Sequence, residues 1–232
     1  MREHRKAALL CGMLGCLCYG GGDWLMMYGD PAHAGALIWL TAGTAQIPLW
    51  RYNLAMALAF PGILLYGIAL FAVETYIKTE KERKVYHYLN AFGLTPWIAL
   101  HRFWMTLLPV GWLIIHFTLS ISIYVYSWCM HSGTAETAEK LATDIIQMMQ
   151  PTQMVSWFFA GFPLVLLIVY VLRGKTVLKK RSQFFTPLLW MALLSGLKFV
   201  IPESPFSNAI DTFCMNAGLI IWFVYLIFYC VK

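Results

Sequence analysis

Residues 7–28 read AALLCGMLGCLCYGGGDWLMMY, an apolar run whose only charged side chain, Asp23, sits near its end. As an α-helix rising about 1.5 Å per residue this run is about 33 Å long, which matches the roughly 30 Å hydrocarbon core of a bilayer. Inside hydrocarbon every backbone polar group needs an internal partner, so a run of this kind forms a helix. Comparable runs recur at residues 52–77, 103–128, 155–172, 184–201 and 209–231. The period-two alternation of a membrane β-barrel is absent. The expected fold class is therefore all-α: a polytopic helical membrane protein with about six transmembrane helices, forming one domain over residues 1–232.

Composition agrees. Of 232 residues, 60% are hydrophobic and 12% charged, about half the charge of a soluble domain. That leaves too little polar surface to cover a water-exposed globule. The formal net charge is +6, which in a soluble protein would suggest nucleic acid. Here the basic residues sit in short segments between apolar runs, so they orient the chain in a bilayer. Nucleic acid is not an expected partner; the lipid bilayer is.

Charge also sets the parity. With six spans and the N-terminus in the cytoplasm, Arg2, Arg5, Lys6, Lys78, Lys81, Arg83, Lys84, Arg102, Arg173, Lys175, Lys179, Lys180, Arg181 and Lys232 all face inward. Only Arg51, Lys140 and Lys198 do not. Both termini are then cytoplasmic, and the expected location is the cell membrane, multi-pass. Counting residues 32–50 as another crossing would move the later basic loops outside and destroy this bias. That stretch reads instead as a re-entrant or interfacial segment on the outer side. Residues 133–150 read as an outer amphipathic segment, and 83–102 as an interfacial one. The basic N-terminus followed by apolar residues resembles a secretory leader, but no A-x-A-like cleavage site follows, so residues 7–28 are read as a retained helix.

Within this topology a few polar residues are costly. An ionisable group inside a span faces the bundle or a wet cavity. Asp23 lies about 24 Å from the inner end of its run, His116 about 20 Å and Lys198 about 21 Å into theirs. Arg51 and Asp211 fall near outer ends, with Asn208 and Asn216 flanking Asp211. All belong to the outer half, where Asp23, Asp211 and Glu203 balance Arg51, Lys198 and His116. Asp23, Arg51, His116, Lys198, Asp211 and Asn216 are therefore the candidate ligand-binding residues, expected to form one network around an outward-facing cavity. The alternative is that they snorkel or pair separately for packing alone. Asp23 is too short to snorkel, and Gly20, Gly21 and Gly22 before it weaken the helix and admit a close neighbour.

Three classes of function compete. A binding, transport or sensing protein would use the outer polar cavity for a small ligand or ion, since broken helices beside charges build such sites; a homodimer would supply the repeat that the chain lacks. A metal-dependent lipid hydrolase would need Asp23, His116 and Asp211 on zinc, yet no HxxxH or HExxH occurs. A structural partner subunit would use Gly12, Cys16 and Gly20, four apart, as a close helix contact. No cofactor is legible. The cysteines lack metal spacing, and a disulfide between Cys129 and Cys214 stays open. The first class is preferred.

Gly22-Asp23-Trp24-Leu25 closing the first run resembles the Gly-Asp-apolar-Leu signature of a family of small bacterial membrane proteins of unknown function. Arg51, Ile201-Pro202 and Asn216 are similar to that family too. The resemblance implies a six-span bundle in a bacterial cell membrane and no established activity.

Overall fold

In the computed structural model, residues 2–32, 40–76, 84 and 110–230 are described. The interfacial stretch expected at 83–102, apart from Lys84, and the start of the third span at 103–109 lie outside them. Every regular element among the described residues is helical. The helices are α1 (Arg2–Met27), a single turn α2 (Ala42–Ala45), α3 (Leu49–Glu74), α4 (Val110–His131), α5 (Ala135–Leu172), α6 (Pro187–Gly196) and α7 (Pro205–Cys230). Segments of 3-10 helix, Lys180–Phe185 and Leu197–Phe199, flank α6.

Three helices among the described residues are long and apolar enough to cross a membrane: His4–Met27, Leu49–Leu70 and Pro205–Phe228. They overlap the first, second and sixth expected spans. Gly12 of α1 meets Ala69 of α3 and Phe223 of α7, while Gly22 meets Ala55 and Gly20 meets Phe213, so α3 and α7 both run opposite to α1 and the start of α1 lies toward the end of each. At the other end, Met26 and Met27 of α1 pack with Tyr52 and Ala55 of α3 and Ile123 of α4.

Helices in lipid gain little from burying apolar groups against one another, so close backbone approach matters more. α1 sits between α3 and α7 on small residues. A Cβ on Gly15 would stand 2.5 Å from Gly62 O, and one on Gly22 would stand 3.0 Å from Ala55 O. On the α7 side Gly12 admits Phe223 and Gly20 admits Phe213. Cys16 between them is buried. The Gly12–Cys16–Gly20 stripe is thus used within the chain.

Three sequence expectations change. First, α1 stays helical through Gly20, Gly21 and Gly22 to Met27; Gly20 packs on α7 and Gly22 on α3, so the expected break is absent. Second, 133–150 and the fourth span are one helix, α5, about 57 Å long, with Pro151 inside it. It rises beyond the other helices and packs Ala138 and Ala142 against Tyr126 and Cys129 of α4. Third, the expected continuous helix over 184–201 is broken. Thr186 before Pro187 is extended, φ −66 and ψ 146, because a residue preceding proline is pushed out of the α region. The two 3-10 pieces and α6 together rise about 33 Å. Of the 32–50 stretch, residues 40–48 lie against the outer part of α4, where Ser127 Oγ donates to Ile47 O at 3.2 Å.

Candidate functional site: a buried Asp–His–Asn cluster below an outer pocket

Asp23 lies one turn from the end of α1 and meets side chains from two other helices. Its Oδ1 is 3.2 Å from His116 Nδ1 of α4, and its Oδ2 accepts from Asn216 Nδ2 of α7 at 2.9 Å. A carboxylate only accepts, so His116 Nδ1 carries the hydrogen of that contact. The sequence explains the geometry locally. Gly20 is one turn minus one residue before Asp23, and a Cβ there would stand 2.8 Å from Asn216 Cβ. Any larger residue would push α7 away and carry the Asn216 amide out of reach.

His116 is buried, at 4% exposure. The Tyr19 ring, one turn before Asp23 on α1, packs against its imidazole at 4.7 Å. Its backbone carbonyl accepts from Ser120 Oγ at 2.6 Å. His116 Nε2 is buried and has no hydrogen-bond partner among the described residues. Beside the cluster, Tyr19, Tyr66 and Asn216 help line a cavity of about 10 Å3, room for about one water.

Lys198 and Asp211 meet elsewhere. Lys198 Nζ is 2.8 Å from Asp211 Oδ2, and Ser195 Oγ donates to Asp211 Oδ1. This pair lines an open pocket of about 340 Å3 where the C-terminal end of α1 meets the N-terminal end of α7, with Met27, Phe199, Glu203, Ser207 and Asn208. Asp211 is about 7.5 Å nearer the outer end of α7 than Asn216, so the pocket sits above the buried cluster.

Arg51 joins neither group. Its Nη2 donates to Tyr28 O at 2.8 Å, while Asn208 Nδ2 donates to Met27 O at 2.6 Å. Together they satisfy carbonyls that the end of α1 leaves open, and the Arg51 cation suits the negative end of the helix dipole. The single network expected from sequence is therefore three local ones: Asp23–His116–Asn216, Lys198–Asp211–Ser195, and the α1 cap. Tyr19 and Ser195 were not legible as members. Their spacing from Asp23 and Lys198, four and three residues, places each pair on one helix face and is the signal available for both.

No three of His, Cys, Asp and Glu converge to hold a metal among the described residues. Asp211, the third ligand a zinc site would need, is held by Lys198 and Ser195 instead. Cys129 and Cys214 are free thiols, the first packed with Tyr126 and Ala138, the second against Asp211 O at 2.9 Å.

A family model matches residues 1–232 from end to end. The chain belongs to DUF6796, a family of unknown function. No curated protein and no solved structure matches it. Membership agrees with the uncharacterised family expected from sequence and brings no activity with it.

Proposed function

We propose that this member of DUF6796 is a six-span protein of the bacterial cell membrane, with both termini cytoplasmic, that binds a small ligand or ion in the outer half of its bundle for transport or sensing. The six crossings are α1, α3, α4, α5, the broken 180–199 segment and α7. That arrangement keeps the basic 173–181 loop with both termini on the inner side, in line with the positive-inside rule. Residues 32–50 then lie on the outer face, and 133–150 extend α5 outward.

The observation that carries the binding role is the meeting of Asp23, His116 and Asn216 from three helices. A charged group at this depth is expensive, and well-packed apolar residues serve packing alone as well or better. The open pocket of mixed charge above the cluster gives a ligand its entrance. The intramembrane hydrolase has no observation in its favour.

Native mass spectrometry of the protein in mild detergent tests the reading. A retained small mass is expected in the wild type, lost in Asp23→Asn and His116→Ala and kept in Asp144→Asn, an exposed control. A wild type with no retained mass, or equal retention in all three variants, overturns it. For topology, Gly133→Cys is expected to react with an impermeant thiol reagent on intact cells and Val177→Cys is not; the reverse pattern overturns the orientation.

A further inference from the structure

The chemistry of the outer pocket narrows what it can hold; this step rests on the reading that the pocket admits the ligand. Its charged groups are one cation, Lys198, and two carboxylates, Asp211 and Glu203. A free anion is disfavoured there, because it meets more negative than positive charge. A simple cation leaves part of the pocket idle: an ammonium has three donors, and among the described residues Lys198 gives one to Asp211 Oδ2 while its charge lies 5.5 Å from the Phe199 ring. Glu203 is exposed and makes no ion pair among the described residues. The neutral polar side chains are turned to the protein instead: Asn208 Nδ2 to Met27 O, Ser207 Oγ to Ser204 O and Thr212 Oγ1 to Ala209 O.

The charged capacity left over in the pocket thus consists of donors on Lys198 and acceptors on Glu203. We infer that the outer pocket recognises a zwitterion, its anionic group held by Lys198 and its ammonium by Glu203. The volume of about 340 Å3 is at the lower end for small-ligand pockets, roughly 300–1,000 Å3, so it suits a head group and not a whole lipid. The surroundings favour an amphiphile as the source. Phe199 and Val200 beside the pocket are 83% and 81% exposed. Leu189, Leu193 and Leu197 are exposed at successive turns, an apolar track leading away from Lys198 along which an acyl chain can lie. The same zwitterion can also arrive free in water, and the experiment separates the two.

The test is native mass spectrometry of the wild type and Glu203→Gln in mild detergent, with phosphatidylethanolamine, with phosphatidylglycerol of the same acyl chains, and with soluble glycerophosphoethanolamine. Glu203 is exposed and makes no ion pair among the described residues, so the variant keeps the fold. The expected result is retention of phosphatidylethanolamine over phosphatidylglycerol by about tenfold or more, the scale of one charge-assisted contact. That preference is expected to vanish in Glu203→Gln, with phosphatidylglycerol held or raised as the pocket loses one negative charge. Failure of the soluble head group to compete assigns the site to lipid; efficient competition assigns it to a free zwitterion. Equal retention of both lipids, or a preference that survives Glu203→Gln, overturns the inference. If another mass is then still retained and lost in Asp23→Asn, the binding role stands and only the zwitterion falls; no retained mass in the wild type overturns both.

Discussion

A methyl group placed on Gly15 would stand 2.5 Å from Gly62 O and 2.6 Å from Tyr66 N. Both are backbone atoms of α3, which cannot swing aside as a side chain can. To restore an ordinary 3.4 Å contact from 2.5 Å, α1 and α3 must separate by about 0.9 Å. Overpacking of this kind costs about 1–3 kcal/mol. The same substitution at Gly21, on the same helix, meets nothing within 4 Å and gains about 0.5–1 kcal/mol of helix propensity. Unfolding of Gly15→Ala and Gly21→Ala in mild detergent, followed by tryptophan fluorescence, measures the difference. The first is expected to lose about 1–3 kcal/mol, the second to be neutral or slightly stabilised. A wild-type Gly15→Ala, or two variants that move together, refutes the idea that close backbone contact holds these helices.

Asp23→Leu strands His116 Nδ1–H and the Asn216 amide, two buried donors, at about 1–3 kcal/mol each. The triple variant Asp23→Leu, His116→Phe, Asn216→Leu is expected to recover part of that loss in the same unfolding assay; a triple variant no more stable than the single one counts against the account. Arg51→Gln and Asn208→Ala each release one α1 carbonyl, and each is expected to cost about 0.5–1.5 kcal/mol. If neither lowers stability, the cap is incidental. Cys129 and Cys214 are expected to resist a thiol reagent in folded protein and react fully after denaturation, with no mass change on reduction; a gain of two hydrogens on reduction would show a disulfide instead.

The helical membrane class is legible in residues 7–28, 52–77 and 209–231, because length and apolarity are local properties. The break before Pro187 is also local: a Thr-Pro step inside a run read as continuous is a sufficient warning. The merging of 133–150 with the fourth span is not local. Pro151 suggests an end, yet the helix runs through it, with Ala138 and Ala142 packed against α4. For the site, depth alone places Asp23, His116 and Asn216 at similar height. Depth says nothing about rotation around each helix axis, and rotation is what turns Asp211 to Lys198 and Arg51 to Tyr28. The small residues that fix rotation, Gly12, Gly15, Gly20 and Gly62, acquire meaning only once their neighbours are known.

The partners of Asp23 have a consequence for synthesis. Asn216 lies 193 residues downstream of it, and at about 5–20 residues per second a ribosome takes about 10–40 s to cover that distance. Throughout that interval the first helix sits in or beside the bilayer with its carboxylate lacking the amide, and with Met27 O lacking the amide of Asn208. The arrival of α7 closes both contacts at once. A nascent chain cut short before α7 therefore leaves Asp23 with His116 as its partner and without the amide of Asn216, and leaves Met27 O without that of Asn208.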